Sequence, residues 1–341
     1  MLQVRMPEAF KIVYEDVPVP EVTNNGVLIE MQRIGVCGSD VQVYHGRHKY
    51  MKFPVVQGHE GSGIVAKVGS KVTNFRPGDR VTVQPQVFCG ECYPCKTGHY
   101  NVCQNLKVYG VHTNGMAVEY FLTEESKVLK LTDTISFDEG AVVEPVAVAV
   151  GAIRRAGDLV GKNVVVMGAG PIGNLVAQVA NISGAARVMI TDVNQKRLEL
   201  AKKCGVDYAV NTMGIDFGET IKKHFGLQEA DIIIDCAAIK ASITQAIRNS
   251  RCASKIVVVG NFKEPIEIEL PMLQRREVDM LSIMMYLRVD FVRAINLIAD
   301  GKLHIHELIS DYFDIRDFDK VYAYMDAHAN DIMKVMIKVK D

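Results

Sequence analysis

The sequence predicts an α/β protein of two domains, one β-rich and one a doubly wound parallel sheet. Three observations carry the prediction. A chain of 341 residues is long enough to give each of two domains its own core. Up to about residue 140 it reads as short strands broken by the turn signals TNNG, GSG, NFRPGD and TNG. From about residue 162, apolar runs alternate with helical patterns, the rhythm of parallel strand–helix–strand units. With 48% apolar and 23% charged residues, the composition is that of a globular chain rather than a disordered one. A net charge of -1 advertises no basic face for nucleic acid. Apolar stretches such as AVVEPVAVAVGAI are broken by Glu and Pro and fall short of a membrane span.

The expected parallel strands are NVVVMG (163–168), RVMITD (187–192), DYAV (207–210), DIIIDC (231–236) and KIVVVG (255–260). Between them, PIGNLVAQVANISG and NQKRLELAKKCG read as helices, the second opening on a capping Asn and closing on Gly. Beyond about residue 287 the pattern is mixed again. The two ends are therefore expected to form one domain, 1–146 with 287–341, into which 147–286 is inserted. The N-terminal stretch MLQVRMPEAFKIVYEDVPVP has no apolar core able to serve as a signal peptide, so a cytoplasmic address is expected.

Half of the eight cysteines fall within CGECYPCKTGHYNVC, residues 89–103. Disulfides would need an oxidising compartment. Cysteines two residues apart, bent by Gly and Pro, instead present thiolates to one tetrahedral Zn2+, with Cys89, Cys92, Cys95 and Cys103 as ligands. A four-thiolate site is closed to substrate, so it holds a loop together and the chemistry lies elsewhere. Cys204, Cys236 and Cys252 are expected to be small buried hydrophobes.

The first strand–helix junction reads VVVMGAGPIGNLVAQVA. Gly168-x-Gly170-x-x-Gly173 follows a buried strand and opens a helix, the context that distinguishes a dinucleotide fingerprint from a chance match. Gly168 permits the tight turn, Gly170 admits the pyrophosphate to the backbone, and Gly173 lets helix and strand approach. Pro171 and Ile172 complete the turn, and the helix N-terminus faces the phosphates. Asp192 ends the next strand, placed to bind the ribose hydroxyls. A 2'-phosphate about 4 Å from that carboxylate would meet repulsion on the order of 4 kcal/mol per charge pair, which favours NAD over NADP. Val193 and Asn194 follow, so no adjacent Arg offers to receive the phosphate; Arg197, five residues on, is the cofactor-binding candidate, with an exposed helix residue as its ordinary reading.

Hydride transfer to a nicotinamide also requires the alcohol to lose a proton, and a zinc with an open position solves that problem. GVCGSD supplies Cys37, QGHEGSG supplies His59 and Glu60, and VVEPVAV supplies Glu144. Taken singly, each has an ordinary structural explanation. Together, CGSD, GHEGSG, RPGDRV, the cysteine run, the EP segment, GAGPIG and the following Asp resemble the zinc-containing medium-chain alcohol dehydrogenases over essentially the whole chain. The resemblance implies a GroES-like β-rich catalytic domain interrupted by a Rossmann domain, two zincs per chain, and NAD. It implies Cys37 and His59 as catalytic zinc ligands, Glu144 as a third acting directly or through water, and Glu60 as a movable carboxylate able to enter the shell. It further implies that Asp40 orients His59 and that Ser39 contacts the substrate oxygen and starts a proton path. Glu144 in place of a second cysteine is similar to the polyol branch.

Gln42 stands where many relatives carry a relay histidine, leaving water, a ribose hydroxyl or His45 to carry the proton. Met285-Tyr286 occupies the place of an Arg-Tyr pair that lines the pocket of sorbitol dehydrogenases, which argues against sorbitol itself. The loop YHGRHKYMKFP carries Arg47, His48, Lys49 and Lys52, read either as solvated or as attracting an anionic sugar acid such as an aldonate. The expected activity is NAD-dependent oxidation of a secondary hydroxyl of a polyol or sugar-derived small molecule, by a homodimer or homotetramer. An L-threonine-type dehydrogenase is the alternative enzyme, since that branch also pairs Cys, His and Glu. A zinc-ribbon binding module is the alternative of another class, opposed by the neutral charge and the complete cofactor fingerprint.

Overall fold

The computed structural model describes residues 1–48 and 50–340, so Lys49 lies outside the described residues. Two units emerge from its contacts. The first comprises Met1–Glu144, Leu287–Gly301 and Ile309–Asp341; the second comprises Pro145–Tyr286 and Lys302–Leu308. The short Lys302–Leu308 stretch departs from the expected division of the C-terminal segment. A hydrogen bond from His304 N to Gln178 Oε1 (2.7 Å), on the Pro171–Ile182 helix, ties it to the second unit.

In the first unit, the apolar-rich VLIEMQRIGV forms the long Gly26–Val36 strand, buried along most of its length. The sheet runs Ile309–Asp314, Lys334–Lys338, Gly26–Val36, Glu60–Val68, Arg80–Val83, Val128–Lys130, with Tyr120–Glu124 also paired to the Gly26–Val36 strand. Ile29, Met31, Ile34, Val65, Val81, Met116, Tyr322 and Val335 fill its core. Register matters here. Gly35 pairs with Glu60 on one side and with Met336 on the other, so two distant segments converge where the central strand ends, just before Cys37.

The second unit holds six parallel strands in the order Tyr208–Asn211, Arg187–Asp192, Asn163–Met167, Ile232–Asp235, Lys255–Val258, Asp279–Ser282. The order in which strands are added reverses between Asn163–Met167 and Ile232–Asp235, the switch point at which doubly wound sheets receive ligands. All five runs expected from sequence are strands. The sixth, DMLS, is mostly exposed at the sheet edge and lacks the apolar run that marked the others.

The helix Phe137–Ala156 spans the boundary between the units and contains Pro145, which has no N–H to return to the preceding turn. Glu144 sits directly before it and is buried. Cys204 is buried as expected, whereas Cys252 is exposed because it lies in the turn before the Lys255–Val258 strand. No helix among the described residues is long and apolar enough to cross a membrane.

Candidate active site and metal centres

Cys37 caps the N-terminus of the short helix Gly38–Tyr44, and its backbone N–H donates to Asp40 Oδ2 at 2.9 Å. Asp40 is buried, and its other oxygen lies 3.5 Å from His59 Nδ1. Neither of those two facing atoms has a hydrogen-bond partner, so the carboxylate holds the ring's Nδ1 edge and leaves Nε2 for a ligand position. The backbone oxygen of Asp40 accepts from Gln57 Nε2 (3.0 Å), and Gln57 Oε1 in turn accepts from the Tyr322 hydroxyl. Tyr322 stacks on Tyr44 with ring centroids 4.3 Å apart. This buried network fixes Asp40 from behind.

Ligand atoms of Cys37, His59 and Glu60 lie within 4.8 Å of one another. A sulfur, an imidazole and a carboxylate, all but Cys37 fully buried, are a donor set suited to Zn2+. Burial disfavours the charged imidazole, but Asp40 and Cys37 outweigh it and hold the His59 pKa well above 6.5. Metal binding here must therefore displace a proton.

Both Glu60 oxygens are held by Lys334, at 2.7 and 2.8 Å from its Nζ, and Lys334 also donates to the Val36 carbonyl at 3.3 Å. Burial pulls the ammonium pKa down, yet the charges of Glu60, Cys37 and Glu144 together carry it above 10.5. Glu144 thus acts on the same cluster electrostatically, while its carboxylate falls outside the 4.8 Å group. Gly35 makes room for the arrangement, since a Cβ there would lie 2.2 Å from Glu60 Oε2. Lys334 escaped the sequence reading; its only signal was a lysine opening a strand with an apolar centre, KVMIK.

Ser39 is half-buried in the first turn of the Gly38–Tyr44 helix, and Gln42 lies one turn further on. His45 has neighbours of its own. Its Nε2 is 2.9 Å from Asp326 Oδ2, its Nδ1 is buried, and its ring stacks on Phe10. Met285 is half-buried with φ 50°, and Tyr286 is fully buried, offering no surface to a ligand as it stands.

In the cysteine lobe the sulfurs stand 3.4 to 4.0 Å apart, and backbone N–H groups of Cys89, Cys92 and Asn105 donate to them. The N–H groups of Glu91 and Cys92 pull Cys89 down to about 6, while burial and the neighbouring Cys92 push Cys95 up to about 12. The four donors fit a structural Zn2+ that would replace their protons. Cys92→Ser is expected to lose one bound metal and lower Tm and solubility while the surviving folded fraction keeps its kcat. A Tm equal to wild type would count against a structural role.

In the second unit, Gly168 has φ 95° and donates its N–H to Thr191 O at 2.7 Å. Gly173 is required, because a Cβ there would lie 1.8 Å from Gly168 O. Gly170 caps the Pro171–Ile182 helix, with Pro171 and Ile172 in its first turn. Among the described residues, a Cβ built on Gly170 would have Arg197 Nη1 as its neighbour, at 4.0 Å, so the half-buried Arg197 hangs over the loop. Asp192 accepts from Ala169 N (2.7 Å) through one oxygen and from Asn194 N (2.9 Å) through the other, tying the strand end to the glycine loop. Across the switch point, buried Asp235 accepts from Ala237 N, Ala238 N and Ser242 Oγ and shapes the wall beside Gly168.

The families described as Alcohol dehydrogenase GroES-like domain and Zinc-binding dehydrogenase match residues 23–133 and 171–300. Sorbitol dehydrogenase 1 of Saccharomyces cerevisiae is 33% identical over 337 residues, 96% of this chain and 94% of that protein. A Sinorhizobium meliloti structure with NADP bound is 28% identical with a TM-score of 0.91, covering 99% of this chain and 98% of that one. An Escherichia coli alcohol dehydrogenase complexed with NADH is also 28% identical, with a TM-score of 0.93 and 99% of each chain covered.

Proposed function

The chain belongs to the zinc-containing medium-chain alcohol dehydrogenases, and on that premise we propose that it oxidises a secondary hydroxyl of a polyol or sugar-derived alcohol by hydride transfer to NAD. The convergence of Cys37, His59 and Glu60 on one buried point is the observation that carries the reading. Zinc, when bound, supplies Lewis acidity toward an alcohol hydroxyl, and the nicotinamide accepts the hydride. Cys37, His59 and either Glu60 or Glu144 would hold the metal.

Asp40 keeps His59 in one tautomer and orientation. Lys334 neutralises Glu60 and can surrender it when the metal shell changes. Ser39 receives the alcohol's proton through its hydroxyl and passes it outward, because Gln42 cannot titrate. On the other unit, Gly168, Gly170 and Gly173 admit the pyrophosphate, and Asp192 binds the ribose hydroxyls.

The reading is tested by a screen of NAD reduction across ethanol, short polyols, sorbitol, aldonates and L-threonine. Polyols should lead, aldonates follow, and ethanol should be poor; threonine as the best substrate would return the alternative enzyme. The same assay compares NAD with NADP. Asp192 favours NAD, and Asp192→Ala should narrow the preference by removing the carboxylate that would repel a 2'-phosphate. Equal kcat/KM for the two nucleotides in wild type would defeat the NAD assignment. A cytosolic address suits the reduced thiols of the cysteine lobe. A homodimer or homotetramer suits the open edge strand Asp279–Ser282, where Met280 is 36% exposed.

A further inference from the structure

Two loops of the first unit are anchored beside the metal-binding residues. One runs from the end of the helix capped by Cys37 to His59 itself, residues 45–58. The other, residues 108–117, is pinned to the stretch just before His59. Gly115 N donates to Val56 O (2.7 Å), Ala117 N to Gln57 O (2.9 Å) and Met116 N to Gly58 O (3.0 Å). Gly110 and Gly115 permit this approach, since a Cβ on them would lie 2.6 and 2.2 Å from Gly58 O.

The result is a meeting of two imidazoles. His48 from the first loop stands edge-on to His112 from the second, ring centroids 6.4 Å apart at 82°. His48 points inward although its neighbours Arg47 and Tyr50 are exposed, and its Nδ1 is buried without a hydrogen-bond partner. His112 accepts the Val108 N–H on its Nδ1 (3.2 Å), which places its own proton on Nε2 and makes that exposed edge a donor. Burial, followed by the neighbouring His112, lowers the His48 pKa, and the fields of Asp40 and His59 reach it. Burial and then Lys107 lower that of His112. Near pH 7 both rings are therefore neutral, each with one donor and one acceptor. A hydroxyl is likewise both donor and acceptor, whereas a carboxylate calls for a cation.

We propose that His48 and His112 form the polar wall that reads the hydroxyl next to the one being oxidised, and so set selectivity for vicinal polyols over simple alcohols. The inference rests on the function proposed above. Nothing in the metal set or the nucleotide cradle distinguishes a diol from a monool; these two side chains do.

A matched pair of substrates tests it, 2,3-butanediol and 2-butanol, which share a reacting carbon and differ in one adjacent hydroxyl. In His48→Ala, loss of a partner for that hydroxyl should reduce the ratio of kcat/KM for the diol to that for the monool by roughly 10-fold. His48→Gln, which keeps one donor and one acceptor, should restore most of the ratio. His112→Ala, on the exposed side of the pair, should lower the ratio in the same direction and covers the case in which His48→Ala fails to fold. An unchanged ratio in the folded variants, or equal losses on both substrates, would overturn the assignment while leaving the polyol function standing. Wild type inactive on every diol and polyol would overturn the function itself, and this inference with it. A gain for aldonates over diols in wild type would equally defeat a neutral wall.

Discussion

Cys37→Ser abolishes turnover without unfolding the protein. That is the expected outcome because Cys37 lies at a helix N-terminus, half-buried, with its backbone rather than its side chain holding the turn through Asp40. Removing the sulfur strips the cluster of its one soft ligand while leaving the Gly26–Val36 strand and the Gly38–Tyr44 helix intact. The Lewis acidity at stake contributes several kcal/mol, so kcat/KM should fall by about 10^3-fold or more. Metal analysis should find one zinc per chain where wild type has two, with Tm changed by only a few degrees. Near wild-type activity at reduced zinc content would remove Cys37 from the catalytic set.

The second large effect is on stability. Lys334→Met leaves Glu60 buried among protein atoms without its cation. Breaking a buried pair from one side costs about 3–5 kcal/mol, more than a typical surface ion pair by several-fold. For domains of this size that corresponds to a drop in Tm of roughly 10 °C. Adding Glu60→Gln to Lys334→Met removes the orphan charge and should recover most of the loss, a coupling read directly from the double-mutant cycle. Because the folded pKa of Lys334 is raised above 10.5, its contribution is complete below that value and is lost only in stronger alkali. Lys334 therefore adds no pH dependence to wild-type stability between about pH 6 and 9. Additive single mutants, with no recovery in the double, would show that the pair is not coupled.

What the sequence disclosed divides by range. The parallel strands, the glycine loop and the cysteine lobe are encoded within a few dozen residues each, so pattern and spacing suffice to find them. Asp192 is legible because its distance from Gly173 is fixed by one helix and one strand. Lys334 is not, since only strand pairing across the central Gly26–Val36 strand brings it to Glu60, 274 residues away. The inward turn of His48 is equally hidden, because a basic stretch such as GRHKYMK looks solvated until a second loop is seen against it. Asp279–Ser282 eluded detection for the opposite reason: an edge strand has only one neighbour and little need of an apolar run. His45, by contrast, had a plausible local position, but its partner Asp326 lies 281 residues away and could not be read from the sequence.

The seating of Lys334–Lys338 against Gly26–Val36 also has a bearing on biosynthesis. A ribosome adding about 5–20 residues per second needs roughly 15–55 s to travel from Glu60 to Lys334. For most of that interval Cys37, His59 and Glu60 have left the tunnel, while the lysine that settles the carboxylate has not been made. The second unit, continuous from Pro145 to Tyr286 apart from one short stretch, can close during the wait. Nascent chains are thus expected to carry a finished nucleotide fold beside an open, thiol-bearing half-sheet, and that half is where metal scavenging and oxidative damage would compete.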